Sequence, residues 1–264
     1  MRGIRQRFQH FITRQYHLWK LKNNLKYPLD LSELRARRLS RDEQYAYCLY
    51  FFQRHLPAVL REHRQYFASG QRGFGEEAFH AMWFLLFQAF HPRSALEIGV
   101  FRGQTITLWK LLAGHLGFDC EIGCVSPFAP VGDSVSRYEE GVDYYEDVLL
   151  NHRRFNLALP LACRELSTSP AAKAFIQSRK WDVVYIDGCH DYEVAREDWN
   201  TCSQSVPELG IIVLDDSSLE TDYHPPCFST AGHPGPSRVA QEINPTQFTE
   251  VFAVGHNRVF QRIG

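Results

Sequence analysis

No uninterrupted apolar run in these 264 residues approaches the ~18 that a membrane-crossing helix needs. The N-terminus has neither the continuous apolar stretch nor the small-residue cleavage site of a secretory leader. CxxC pairs are absent, and the seven cysteines (48, 120, 124, 163, 189, 202 and 227) are odd in number and scattered. That excludes a zinc ribbon or a disulfide framework and leads us to expect thiols in a reducing, cytoplasmic compartment. There is no Gly-x-Gly-x-x-Gly and no P-loop Lys-Ser/Thr, so the fingerprints of dinucleotide and nucleoside triphosphate binding are missing. An overall excess of positive charge is lacking too, with 29 Lys and Arg against 30 Asp and Glu. No internal repeat or low-complexity tract is visible.

The charge is uneven. Residues 1–40 hold ten basic side chains against Asp30 and Glu33, which leaves 19 basic and 28 acidic residues for the remainder. A mildly acidic body does not offer the basic face that nucleic acid requires, and no nucleic-acid partner is expected. The basic segment itself has a helical period, with Ile4, Phe8, Phe11, Ile12 and Trp19 on one face and Arg5, Arg7, Arg14 and Lys20 around the rest. Packing on the body or on a second subunit accounts for such a face, and so does peripheral contact of residues 1–22 with an anionic membrane surface.

Further along, Ser40-Arg-Asp-Glu43 reads as a capping box that opens a helix through Tyr66, kinked or divided at Pro57. The GQRGFG stretch, 70–75, reads as a joint, and Glu76 to Phe90 as an apolar helix. From Ser94 the pattern changes. Apolar runs at 95–98, 121–125, 159–163, 183–186 and 211–214 alternate with helical stretches at 104–116, 137–155, 171–179 and 192–203. This is the signature of a parallel sheet covered on both faces. Phe248–Val254 and Arg258–Ile263, joined by Gly255-His256-Asn257, read as a hairpin. The aromatic load, 19 Phe and 12 Tyr, falls partly on the helices ahead of the sheet, where it would suit a homo-oligomer interface.

A parallel α/β sheet binds ligands beyond the carboxyl ends of its strands, which directs attention to the loops after Ile98, Val125, Ile186 and Leu214. The first reads Glu97-Ile-Gly99-Val-Phe-Arg102-Gly103. Gly99 allows a tight exit from the strand, and Gly103 lets the next helix start close to a ligand with no Cβ in the way. Glu97 would repel phosphate but favour a cation such as an amino group or a sulfonium. The other two acidic loops are Asp187-Gly-Cys-His190-Asp191 and Asp215-Asp216. Neighbouring parallel strands would deliver these three carboxylates to one edge, where a divalent cation relieves their repulsion. Oxygen ligands favour Mg²⁺, Mn²⁺ or Ca²⁺ over zinc. Plainer roles also exist: Asp187 as a turn cap, Asp215-Asp216 as a solvated loop, His190 as a partner of Asp191. His224 and His233, in a Pro/Gly-rich loop, read as passive, although that loop could close over a substrate.

The acidic-x-Gly-x3-Gly motif at 97–103 resembles the first motif of class I S-adenosylmethionine-dependent methyltransferases. Asp187, His190, Asp215 and Asp216 resemble the site of the metal-dependent macrocin O-methyltransferase-like branch, as does Gly235-Pro-Ser-Arg-Val-Ala240 ahead of the last strands. The resemblance spans about residues 75–264 and implies an α/β, Rossmann-like parallel sheet with a C-terminal antiparallel hairpin, preceded by an N-terminal helical extension, 1–74. It implies S-adenosyl-L-methionine held by Glu97, Gly99, Arg102 and Gly103, and Mg²⁺ or Mn²⁺ held by Asp187, Asp215 and Asp216. It further implies His190 as the base and methyl transfer to a hydroxyl of a sugar or a glycosylated small molecule. The adenine pocket would fall near Glu165 and Ser167. One departure is plain. Where many members carry an acid for the ribose hydroxyls, Cys124-Val-Ser126 ends in serine, which bonds a ribose oxygen singly and without charge; Asp133 is a possible substitute. A hydroxylation-type enzyme on the same fold and a non-catalytic scaffold with a degenerate pocket are the rival readings.

Overall fold

The computed structural model describes Phe11, Ile12, Trp19 and residues 28–131, 135, 138–139 and 141–264. Most of the basic amphipathic segment, and Asp133, lie outside the described residues; Phe11, Ile12 and Trp19 are helical and exposed. No helix among the described residues is long and apolar enough to cross a membrane.

From residue 28 onward the described helices begin with α1 (Leu31–Ala36), α2 (Arg41–Arg54) and α3 (Ala58–Ser69). The Ser40 capping box forms as expected: Ser40 Oγ accepts from the Glu43 N–H, and the Glu43 carboxylate accepts from the Ser40 N–H. Pro57 divides the predicted long helix, standing just before α3 where its missing N–H has no partner to lose. Next come α4 (Glu77–Phe90), β1 (Ser94–Ile98), α5 (Gln104–Leu116), β2 (Glu121–Val125), α6 (Tyr144–Arg154), β3 (Leu161–Cys163), α7 (Pro170–Gln177), β4 (Val183–Ile186), α8 (Tyr192–Ser203), β5 (Ile211–Leu214), α9 (Pro234–Glu242), β6 (Phe248–Val254) and β7 (Asn257–Arg262).

Two boundaries differ from the periodicity for local reasons. The helix expected from 137 starts only at Tyr144, because Gly141 takes a left-handed φ of 76° and Asp143 accepts from the Glu146 N–H as cap. Helix α9 is not among the helical stretches expected from the periodicity, its signal hidden by Pro234, Gly235 and Pro236. Pro is at home in a first turn, where N–H groups are unpaired anyway.

The seven strands form one sheet in the order β3-β2-β1-β4-β5-β7-β6, parallel through β5, with β7 antiparallel to both β5 and β6. Strand alternation divides the core. Ala95, Val183, Tyr185, Ile211 and Val213 belong to one core cluster with α1, α2, α4 and α5, in which α1 packs on α4 and α2 on α4 and β6; Leu96, Ile98, Val184, Ile186 and Leu214 belong to a second with α7, α8 and α9. The helices before residue 70 therefore complete one layer of the sheet's cover. His63, on α3, bonds His80 of α4 (3.1 Å) and Thr107 of α5 (2.9 Å), and burial drives its pKa down to about 3, so this link is neutral.

Candidate active site

The ends of four strands fall in register: Ile98 pairs with Val125 and with Ile186, and Ile186 with Leu214. The ladder runs one residue further. The Gly99 N–H donates to Val125 O (2.9 Å), Asp187 to Ile98 O (2.9 Å), Asp215 to Ile186 O (3.0 Å) and Ser126 to Cys163 O (3.1 Å). Gly99, Ser126, Asp187 and Asp215 thus stand in one row along the edge. Glu97, Asp187 and Asp215 also share the strand parity of Tyr185 and Val213 and project on the face covered by α4 and α5. They line a cleft of about 1030 Å³, together with Gly103, Asp216 and His190.

The glycines are needed where they stand. Gly99 has φ 93°, and a Cβ there would overlap the Asp187 carbonyl. Gly103, at φ 83°, opens α5 against Val148. Below this turn Glu97 is only 3% exposed, and burial, first, with the nearby Asp215 charge, raises its pKa from 4.5 to about 8. Its carboxyl accepts from the Thr105 hydroxyl and the Ile106 N–H, while Oε2 has no hydrogen-bond partner. A buried acceptor left open in a cleft costs about 1–3 kcal/mol, which a donor on a ligand would recover.

The acidic loops converge. Asp187 and Asp215 share a hydrogen bond, and burial together with the Asp215 charge holds the Asp187 carboxyl well above the usual carboxylate range. Burial raises Asp215 as well, against the pull of His256. Asp216 goes the other way. Burial pushes it up, but the His190 hydrogen bond and the charges of His256, His190 and His233 outweigh that and hold it low. His190 Nε2 lies 2.8 Å from Asp216 Oδ2 and its ring centroid 4.3 Å from that of His233. Asp216 adopts φ 49°, uncommon for a side-chain-bearing residue, and its carbonyl accepts from the His233 N–H (2.8 Å) and the Ser237 hydroxyl (3.2 Å).

Several expected contributors have other partners. Arg102 lines the cleft, but its guanidinium is held by Asp147 of α6 and by Glu139. Ser126 also lines the cleft, but its hydroxyl donates to Val100 O (2.9 Å), so Oγ can offer a ribose only acceptor capacity. Ser167 faces the cleft and bonds the buried Asp198, whereas Glu165 is exposed and outside the lining. His224 is tied to Asp42 of α2 (3.1 Å). Two further histidines enter the site: His233, read from the sequence as passive in its loop, lies 3.8 Å from Asp216 Oδ2, and His256, to which the sequence assigned no role, lies 3.3 Å from Asp215 Oδ1. His256 sits in the β6–β7 turn, and only the pairing of β7 with β5 brings that turn to the acidic edge.

Residues 96–217 match a family model described as "Methyltransferase domain". No curated protein matches the sequence. Solved structures of similar fold include the O-methyltransferase TomG from Streptomyces achromogenes, involved in tomaymycin synthesis and solved with SAM, at 13% identity and TM-score 0.54, covering 86% of this chain and 100% of that one. An O-methyltransferase from Bacillus cereus in complex with SAH is 14% identical with TM-score 0.55 (85% and 100% covered). The SAH-bound methyltransferase PaMTH1 from Podospora anserina is 13% identical with TM-score 0.55 (90% and 99% covered). Residues 96–217 are thus similar to a methyltransferase domain, and the chain has the class I S-adenosylmethionine-dependent methyltransferase fold.

Proposed function

We propose that this chain is an S-adenosylmethionine-dependent O-methyltransferase that acts, with a divalent cation (Mg²⁺ or Mn²⁺), on a hydroxyl of a sugar or a glycosylated small molecule. One observation carries the reading: Glu97 and Gly99 on one side, and Asp187, Asp215, Asp216 and His190 on the other, line a single cleft. The open Oε2 of Glu97 suits the ammonium of the cofactor's amino-acid part, and Gly99 and Gly103 keep Cβ atoms out of its path. The open Oδ1 of Asp215 and the carboxylates beside it suit a divalent cation, which would lower the pKa of an acceptor hydroxyl when bound.

The chain's own residues do the remainder. His190, held by Asp216, takes the hydroxyl proton as the acceptor oxygen forms its bond to the methyl carbon, while the carbon–sulfur bond breaks and its electron pair stays on sulfur. A stiff sheet edge holds donor and acceptor in line, the main requirement of a methyl transfer. Aromatic rings of Phe74, Phe79, Phe101 and Phe228 line the cleft and offer flat apolar surfaces for the faces of a pyranose. Convergence of these polar groups favours catalysis over a scaffold role.

Titration calorimetry with S-adenosylmethionine, with and without Mg²⁺, tests the first half of the proposal, and release of S-adenosylhomocysteine with a panel of glycosides tests the second. Asp187→Ala is expected to abolish transfer and leave cofactor affinity within a few-fold. Unchanged turnover of that variant in EDTA-treated buffer would defeat the cation role, and absence of heat at millimolar cofactor would defeat the enzyme reading.

A further inference from the structure

His256 is not used by the methyl-transfer scheme, yet its ring is held in an arrangement that calls for an explanation. Nε2 lies 3.3 Å from Asp215 Oδ1 and 4.0 Å from Asp216 Oδ1, and Nδ1 lies 3.2 Å from Thr230 O. A carbonyl oxygen only accepts, so Nδ1 carries a hydrogen, and in the neutral ring Nε2 keeps a lone pair. That lone pair faces two carboxylate oxygens. One of them, Asp215 Oδ1, has no hydrogen bond, on a residue only 9% exposed. Acceptors facing acceptors repel unless a proton, on the ring or on the carboxyl, or a metal ion stands between them.

The geometry suits an ion. One donor atom from each of Asp215, Asp216 and His256 lies within 4.8 Å of the others. Ligands about 2.1 Å from a metal stand roughly 3.0–3.5 Å apart at right or tetrahedral angles, so small side-chain shifts close the set. A ligating imidazole is characteristically anchored through its other N–H, as Thr230 O anchors this one. The Ser217 N–H donates to His256 O (2.9 Å), fixing the turn against the end of β5.

We propose that Asp215, Asp216 and His256 form a mixed carboxylate–imidazole metal site, so that the cation of the proposed function is a transition ion such as Mn²⁺ or Co²⁺ in preference to Mg²⁺. The inference rests on the cation part of that reading and deepens it. Mg²⁺ is a hard ion that prefers oxygen, whereas an imidazole ligand favours later first-row ions. Because His256 approaches the Oδ1 side of the acidic pair and His190 bonds Asp216 Oδ2, the ligand and the base occupy different edges of the site.

The test uses full-length protein freed of metal, without cofactor, titrated calorimetrically with MnCl₂, CoCl₂ or MgCl₂ alone. Mn²⁺ and Co²⁺ are expected to bind about tenfold or more tighter than Mg²⁺, and His256→Ala to erase that preference while Mg²⁺ affinity stays within a few-fold. Wild-type protein loaded with Mn²⁺ gives a readout that does not depend on a variant folding: electron spin-echo modulation from a directly bound ¹⁴N. Equal affinities for Mn²⁺ and Mg²⁺ with no nitrogen coupling would overturn the inference and leave a carboxylate-held cation standing. No binding of any ion at about 1 mM, with S-adenosylmethionine still bound, would overturn both this site and the cation role, and would identify His256 as an imidazolium paired with Asp215.

Discussion

Glu97→Gln separates what the carboxyl costs the fold from what it offers a ligand. The wild-type group is buried, and its pKa rises from 4.5 to about 8. At about 1.4 kcal/mol per tenfold change in proton affinity, that rise is worth on the order of 5 kcal/mol. The sign follows from proton counting. Between these two values the native carboxyl keeps a proton that the unfolded chain has lost, so its contribution is complete below pH 4.5 and is lost as pH climbs toward about 8. Glutamine has nearly the same shape, accepts the Thr105 and Ile106 hydrogen bonds and does not titrate. Urea denaturation in EDTA buffer should therefore find the two proteins within about 1 kcal/mol of each other at pH 5. At pH 8.5 the variant should be several kcal/mol more stable, with a melting temperature higher by roughly 5–15 °C. Cofactor binding should move the opposite way. Loss of a charge-assisted hydrogen bond, about 1.5–3 kcal/mol, weakens S-adenosylmethionine by about 10- to 100-fold in calorimetry at pH 8.5. A variant that keeps the wild-type pH dependence, or binds the cofactor as tightly, would refute the assignment of Glu97 as a buried acid facing the ligand's cation.

Other perturbations address single parts of the structure. Gly99→Ala places a Cβ at φ 93° against the Asp187 carbonyl and should cost about 2–4 kcal/mol, read as a fall in urea midpoint with unchanged slope. Ser40→Ala removes one arm of the α2 capping box and should cost about 1 kcal/mol, with cofactor affinity unaltered. His190→Gln can keep a bond to Asp216 but cannot take a proton at neutral pH; kcat should fall by about 10²- to 10⁴-fold while the cofactor Kd stays put.

Much of the architecture is legible along the chain because it is encoded locally. The runs at 121–125, 183–186 and 211–214 and the helices at 104–116 and 192–203 coincide with the observed elements, since apolar periodicity and Gly or Pro punctuation act over a few residues. The convergence of Asp187 and Asp215 is legible for a similar reason, as each stands one residue past a strand whose end is set by its own apolar run. Helix α9 escapes because its prolines carry the same signal in a loop and in a first helical turn. His256 escapes because a turn residue in a hairpin says nothing of which strand the hairpin will join. Its place beside Asp215 depends on β7 entering the sheet antiparallel to β5, and the roles of Arg102 and Ser126 depend on Asp147, Glu139 and Val100, contacts that exist only once the elements pack. Short-range chemistry is thus enough to draw the strands, helices and acidic rim, whereas the charge of each rim group and its company of histidines arise from burial and long-range pairing, which no local stretch encodes.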